Sequence, residues 1–180
     1  TKILEEADLV LINTCSIRDK AEQTVRNRLK YFQSVKKKYN KKMTVGVLGC
    51  MAERLKEKLL EQEKLVDIVV GPQSYTELPD MIKKLKSLQK KQSININFPT
   101  IPKFDHLNHG LIKNKITSYV TIQEGCDKFC SFCVVPYTRG PEYSRSIESI
   151  MLEIENLILK GVREIVLLGQ NVNAWKCLSK

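Results

Sequence analysis

The stretch MTVGVLGC (residues 43–50) is an apolar run, rich in valine, that ends in glycine and cysteine. Its length and its β-branched residues predict a buried strand. Amphipathic helices are predicted on both sides of it, over residues 19–39 and 52–64, where apolar side chains recur at helical spacing. Two more strand-like runs, ADLVLINTC (7–15) and DIVVG (67–71), lie beyond these helices. Strands that alternate with helices predict a parallel sheet covered by helices.

The rest of the first 90 residues continues this alternation. A last helix carries apolar side chains on one face, at Leu78, Met81, Ile82, Leu85 and Leu88. We therefore predict that residues 1–90 form an α/β domain with a parallel sheet, of the Rossmann or flavodoxin-like type. Residues 91–116 show no sustained period and contain two prolines, so we predict a linker there.

A second strand–helix–strand pattern follows the linker. ITSYVTIQEGC (116–126) predicts a strand that runs into a cysteine-rich loop. Ser146 can cap the next helix and Gly161 can end it, before the strand-like run REIVLLGQN (163–171). A parallel barrel or open sheet needs several more such units, so residues 117–180 are predicted to be the start of a truncated second domain. Because the chain also opens without a methionine, we expect it to be a piece of a longer protein.

The composition points to a polyanionic partner and to thiols that bind metal. Lysine and arginine number 30 against 20 acidic residues, a net charge of +10, which favours nucleic acid as a partner. A lysine-rich solvated surface explains the same balance. The sequence contains no run of 18 apolar residues, so it predicts no membrane span. Six cysteines, three of them clustered, are typical of metal-bound thiolates in a reducing compartment rather than of a disulfide framework.

The cluster of cysteines lies in EGCDKFCSFC (124–133), which holds Cys126, Cys130 and Cys133. This spacing lets one loop wrap its thiolates around a single inorganic centre. Structural zinc ordinarily takes four protein ligands, and the fourth would have to come from a distant residue. The candidates for that ligand are Cys15, Cys50, Cys177, His106 and His109. An iron–sulfur cluster held by three cysteines is the other possibility, and it leaves one iron free to bind a small molecule.

Cys15 and Cys50 occupy equivalent places in the first domain. Cys15 ends the strand-like run LVLINTC and Cys50 ends VGVLGC. Adjacent strands of a parallel sheet end at one edge, so we expect the two thiols to lie close enough to share a centre. The alternative is that both are buried cysteines that act as small apolar residues.

The CxxxCxxC spacing after a strand, with Phe132 just before the third cysteine, resembles the radical S-adenosylmethionine (SAM) superfamily. The resemblance implies that residues 117–180 begin a partial (βα) barrel. It implies a [4Fe–4S] cluster on Cys126, Cys130 and Cys133 whose fourth iron binds SAM, which is cleaved to a 5′-deoxyadenosyl radical. It also implies that Phe132 contacts the adenine of SAM, and that Gln170 and Asn171 contact SAM at the end of the second barrel strand.

Longer blocks of the sequence resemble a narrower family, the MiaB-type tRNA methylthiotransferases. These blocks are INTCSIRDKAEQ (12–23), LGCMAE (48–53), DIVVGPQS (67–74), EGCDKFCSFCVVPYTRG (124–140) and GVREIVLLGQNVNAW (161–175). The resemblance implies a second [4Fe–4S] cluster held by Cys15, Cys50 and an upstream cysteine that is absent here. It implies methylthiolation at C2 of N6-isopentenyladenosine next to the anticodon of tRNA. We expect the truncated chain to be inactive alone.

Several expectations accompany this reading. Related enzymes that act on threonylcarbamoyl-adenosine in tRNA or on an aspartate of a ribosomal protein are alternatives, and a zinc-stabilised RNA-binding module is an alternative of another class. The expected partners are tRNA and an electron donor such as a flavodoxin or ferredoxin, and the expected state is a monomer. The expected location is the cytoplasm, with an organelle as the alternative. No side chain identifies itself as catalytic, and Cys177 matches no cluster position.

Two arginines close to the cysteine loop, Arg139 and Arg145, allow two interpretations. They could contact SAM or an RNA phosphate. They could equally be ordinary surface arginines that precede a helix.

Overall fold

The computed structural model describes residues 1–16, 19–39, 42–88, 93–95 and 116–177. A parallel sheet forms the centre of its first part. Within those ranges its strands are β1 (Leu9–Thr14), β2 (Thr44–Gly49), β3 (Ile68–Val70) and β4 (Ser93–Asn95), in that spatial order. Each pair of neighbours is parallel. The predicted parallel α/β fold is therefore confirmed.

Helices connect the strands, as the crossover connections between parallel strands require. They are α1 (Asp19–Lys38), α2 (Cys50–Leu55), α3 (Glu57–Gln62) and α4 (Leu78–Leu88). Helix α1 buries Val25, Leu29, Phe32 and Val35, which recur at helical spacing. The first three of these residues pack in one core cluster with the strand residues Val45 and Val47, which are fully buried. This core fixes the ends of β1 and β2 and therefore the positions of the residues that follow them.

Two local features differ from the sequence-based expectation. The helix predicted over residues 52–64 begins at Cys50 and is divided in two, because Lys56 adopts a left-handed φ of 50° that interrupts the helical hydrogen bonds. The predicted linker 91–116 contains strand β4, whose three residues pair with β3. The alternation of polar and apolar residues in SIN (93–95) is the signal for this strand, and it is too short to distinguish from irregular chain.

The second part of the chain contains a strand–helix–strand unit with the cysteine-rich loop inserted in it. Its elements are β5 (Thr117–Thr121), β6 (Gln123–Glu124), α5 (Val135–Arg139), β7 (Tyr143–Ser144), α6 (Ile147–Leu159) and β8 (Glu164–Leu168). Strands β5 and β8 are parallel, and β6 and β7 are antiparallel. Helix α6 packs on this unit through Ile150 and Leu157, next to Val120 and Ile122.

The predicted ends of helix α6 are confirmed. The Ser146 hydroxyl accepts a hydrogen bond from the Ser149 backbone N–H at 3.2 Å, which caps the first turn. Gly161 has a φ of 91° just after the helix. The chain divides into two compact units, Thr1–Lys103 and Phe104–Lys180, and the predicted linker spans this division. Among the described helices, none has the length and apolar character that crossing a membrane requires.

Candidate metal centre

The three clustered cysteines lie in the loop between β6 and α5. Cys130 is exposed, and Cys126 and Cys133 are half-buried. The Cys133 N–H donates to the Cys130 carbonyl at 2.9 Å, so the last two cysteines are joined by a tight turn. None of the three forms a disulfide. The loop therefore presents three thiols close in sequence at the surface of the second unit.

The path of this loop is fixed at its start by Gly125. Gly125 has a φ of 77°, in the left-handed region that favours glycine. A Cβ added there would lie 2.0 Å from the Pro141 carbonyl oxygen and 2.6 Å from that of Gly140. The next residue, Cys126, donates its N–H to the Gly140 carbonyl at 3.3 Å. Only glycine at position 125 allows the chain to run this close to residues 140–141.

Two glutamines hold Gly125 from opposite sides. The Gln170 side-chain oxygen accepts the Gly125 N–H at 2.8 Å, and the Gln123 side-chain NH₂ donates to the Gly125 carbonyl at 2.8 Å. Gln123 is fully buried, and its oxygen accepts the Asn171 N–H at 3.0 Å. This network joins the end of β6 to the turn after β8. Sequence reasoning missed Gln123, although a glutamine within a strand-like run (SYVTIQE) is a polar residue that needs a buried partner.

Gln170 and Asn171 follow β8, the predicted second strand, and the structure brings them next to the first residue of the cysteine loop and to Gln123. Their contacts in the structure are with the protein, since the Gln170 oxygen binds Gly125 and the Asn171 N–H binds Gln123. Phe132 is 90% exposed within the loop. The predicted contacts of these three residues with SAM stay predictions.

An aromatic pair connects the cysteine loop to α5. The rings of Phe129 and Tyr137 meet edge to face, with centroids 6.1 Å apart. Phe129 has a left-handed φ of 48°, an unfavourable conformation for a bulky residue. Both rings are mostly exposed.

Arg145 has a different role from either of the two that the sequence suggested. It is buried, and its guanidinium donates to Glu153 at 2.5 Å and to the Thr121 carbonyl at 2.8 Å. It is therefore neither a surface residue nor placed to meet a phosphate. Arg139 pairs with the buried carboxylate of Glu124 at 2.6 Å, which ties α5 to β6.

The two cysteines of the first unit lie at one edge of its sheet, as predicted. Thr14 and Gly49 are paired in the register of β1 and β2, and Cys15 and Cys50 are the residues that directly follow them. Cys15 is exposed, whereas Cys50 is buried and is the first residue of α2. The thiols therefore follow neighbouring strand ends, the edge at which open α/β sheets bind ligands.

The cysteine loop supplies three thiolates, one fewer than the four protein ligands of structural zinc, and thiolates are the usual ligands of iron–sulfur clusters. A zinc site would need a fourth ligand from outside this loop. Across the described ranges, no three His, Cys, Asp or Glu side chains converge in an arrangement that would hold a metal ion. Cys177 is exposed, and His106 and His109 lie outside the described residues. The ligand role of the five cysteines stays a prediction.

Comparison with known proteins assigns both units. Residues 1–71 match the model of the Uncharacterized protein family UPF0004, and residues 120–177 match that of the Radical SAM superfamily. Relatives named tRNA-2-methylthio-N(6)-dimethylallyladenosine synthase occur in Flavobacterium psychrophilum and Flavobacterium johnsoniae, each 53% identical over 97% of this chain and 36% of the relative. The relative of that name from Bacteroides fragilis is 49% identical over 96% of this chain and 37% of its own length.

The chain spans a little over a third of the length of these relatives. The two matched regions, one with UPF0004 and one with the radical SAM superfamily, occur in it in that order. In this arrangement, and in about half of its residues, the chain is similar to the relatives named tRNA-2-methylthio-N(6)-dimethylallyladenosine synthase.

Proposed function

We propose that the protein carrying this chain is a tRNA methylthiotransferase that acts at C2 of N6-isopentenyladenosine next to the anticodon. The observation that carries the proposal is the identity of about half the residues, over nearly the whole chain, to proteins named tRNA-2-methylthio-N(6)-dimethylallyladenosine synthase. The radical SAM region that includes the cysteine loop supports the same chemistry. The net charge of +10 suits a tRNA substrate.

In this proposal Cys126, Cys130 and Cys133 hold a [4Fe–4S] cluster and SAM occupies the remaining iron. When bound, the cluster supplies the electron that cleaves SAM to a 5′-deoxyadenosyl radical. The protein contributes a loop whose first residue is held from both sides by Gln123 and Gln170. Such fixed second-layer hydrogen bonds keep ligands in place while a cofactor binds.

Three other residues of the second unit are proposed to bind SAM. Phe132 presents an exposed ring next to Cys133, on which the adenine can stack. Gln170 and Asn171 follow β8 at the end of a parallel strand, where α/β folds place ligand-binding groups. The Gly125 N–H donates to Gln170 and the Asn171 N–H donates to Gln123, and these two bonds hold the turn that carries the proposed SAM-binding residues.

The first unit is proposed to hold a second [4Fe–4S] cluster through Cys15 and Cys50, together with a cysteine from outside this chain. The placement of both thiols at neighbouring strand ends supports this proposal. We also propose that an electron donor such as a flavodoxin or ferredoxin is a partner. The proposed setting is a monomeric enzyme in the cytoplasm.

The first test uses the 180-residue chain itself. We expect anaerobic reconstitution with iron and sulfide to give a broad visible absorption band. The electron paramagnetic resonance (EPR) signal of the reduced cluster should change when SAM is added, because SAM occupies the iron without a thiolate. Bound zinc, with no visible band and no response to SAM, would instead identify a zinc-stabilised RNA-binding module.

A second test identifies the substrate. The complete protein that carries residues 1–180 is incubated with SAM, a reductant and tRNA that lacks methylthio groups, and the digested nucleosides are analysed by mass spectrometry. We expect the methylthio group on isopentenyladenosine. Its appearance on threonylcarbamoyl-adenosine, or only on a ribosomal protein aspartate, would assign the chain to one of the related enzymes.

A further inference from the structure

Glu53 is a buried acid that neither the fold nor the proposed ligand set explains. It is 1% exposed and lies on α2, three residues after Cys50. Among the described residues its Oε1 has no hydrogen-bond partner, and the nearest cation, Lys56 Nζ, is 3.7 Å away. Burial raises the pKa of this carboxyl group, and Lys56 offsets part of that effect. An apolar side chain would fill the same space without the free-energy cost of burying a carboxyl group.

Gly71 provides the space that the Glu53 carboxyl group occupies. A Cβ added at residue 71 would lie 1.9 Å from Glu53 Oε2 and 3.1 Å from its Cδ. The φ of Gly71 is −68°, which any residue can adopt, so its backbone conformation does not require glycine. The Glu53 carboxyl group on α2 therefore fills the space that a side chain at residue 71, just after β3, would occupy.

This contact bears on Cys50 because both residues belong to the same short helix. Cys50 and Glu53 are three residues apart, which places them on one face of α2. All four residues from Cys50 to Glu53 are buried, and α2 packs against β1, β2 and β3. The side chain of Glu53, seated over Gly71, thus fixes the first turn of α2 relative to the strand ends, and the first residue of that turn is Cys50.

We propose that Glu53 is a positioning residue for Cys50, acting through the space that Gly71 leaves at the end of β3. The inference rests on the proposed role of Cys15 and Cys50 in holding a cluster. Its direct consequence, a fixed and shielded Cys50 thiol, can be measured without any cofactor. A buried carboxyl group next to the strand ends that carry Cys15 and Cys50 is energetically unfavourable, and such unfavourable features are found at functional sites.

The test measures the alkylation rate of Cys50 in the cofactor-free 180-residue chain, by mass spectrometry of its peptide. Glu53→Ala and Gly71→Ala should each raise this rate roughly ten-fold, because the first turn of α2 opens more often. Glu53→Gln, which has the same shape, should keep the rate of the unchanged chain. Glu57→Gln, at an exposed position on the neighbouring helix, is the matched control and should also leave the rate unchanged.

The double variant Glu53→Ala/Gly71→Ala separates this contact from general destabilisation. Without the carboxyl group the nearest atom to the new methyl group is the Cβ of residue 53 at 3.7 Å, an ordinary contact, so the double variant should be no worse than Glu53→Ala alone. Effects that simply add, or a Cys50 rate that none of the variants changes, would overturn the proposal.

A parallel measurement relates the contact to the cluster. In the complete protein, with Cys126, Cys130 and Cys133 replaced by alanine, reconstituted iron should fall in the two single alanine variants and persist in Glu53→Gln. Iron that persists in all variants overturns the positioning role. A failure of the unchanged first unit to bind any iron contradicts the proposed second cluster instead, while the alkylation result still decides whether Glu53 positions Cys50.

Discussion

The Gln170 side-chain oxygen accepts the Gly125 N–H at 2.8 Å, across 45 positions of sequence. This bond joins the turn after β8 to the first residue of the cysteine loop. The bond therefore helps to hold the loop that follows β6 against the turn that follows β8. The buried Gln123 extends the link, since it binds both Gly125 and Asn171.

Gln123→Leu should loosen the cysteine loop more than Gln170→Ala does. Gln123 is fully buried, so leucine leaves two backbone groups without their partner, and we expect a loss of roughly 2 kcal/mol in unfolding free energy. Gln170→Ala removes one bond at an exposed position and should cost roughly 1 kcal/mol. Urea unfolding of the 180-residue chain measures both values. Equal effects of the two changes would contradict the central place of Gln123.

Arg145→Met should destabilise the second unit strongly. The Arg145–Glu153 pair is buried, with both side chains less than a tenth exposed, so removing one partner leaves an uncompensated charge and should cost about 3–5 kcal/mol. The matched control is Arg26→Met in the first unit, whose partner Glu63 lies at 2.9 Å and whose side chains are partly exposed. That change should cost about 0–1 kcal/mol. Thermal unfolding followed by circular dichroism compares them.

Most helices and strands of the fold can be predicted from the periodic spacing of apolar residues over short stretches of sequence. The valine-rich strand β2 and the stripe Val25, Leu29, Phe32 and Val35 on α1 are recognisable because periodicity reports burial. The same reasoning places Cys15 and Cys50 at one sheet edge, since a parallel sheet brings successive strand ends together. Strand β4 is missed because three residues provide too little of a period.

The supporting residues of the candidate site could not be predicted in the same way. Gln123 and Arg145 are polar residues that bind Asn171 and Thr121, which lie far along the chain, so only the folded structure shows that they are buried and hydrogen-bonded. Glu53 is a similar case, because its space depends on the absence of a side chain at Gly71. Hydrogen bonds and steric matches between distant segments leave no periodic signal in the sequence.

Glu53→Gln should change the dependence of stability on pH. Burial raises the pKa of Glu53 in the folded protein, so the folded state holds this proton more tightly than the unfolded chain does. The stabilisation is fully present below the pKa of the unfolded chain and is lost as the pH rises through the folded value. Glutamine does not titrate, so the variant should gain stability relative to the unchanged chain between acidic and neutral pH.

Asp67 contributes in the same direction, because its pKa is also raised by burial, although the Val45 N–H at 2.9 Å and Lys36 oppose the shift. Glu53→Gln should therefore remove only part of the loss of stability towards neutral pH. Urea unfolding at several pH values, with the variant and the unchanged chain side by side, gives the difference directly. A difference that stays constant with pH would contradict a raised pKa at Glu53.

Cys130→Ala, made in the complete protein that carries residues 1–180, should abolish the cleavage of SAM to 5′-deoxyadenosine and leave tRNA binding largely intact. Cys130 is exposed, so its truncation should barely affect folding, and a lost activity then reports lost cluster binding. Affinity for tRNA rests mainly on phosphate contacts, which this change does not touch. Cys177→Ala, at an exposed cysteine outside the loop, is the matched control and should keep both activities. Undiminished 5′-deoxyadenosine production by the Cys130 variant would remove this cysteine, and with it the three-thiolate site, from the proposed function.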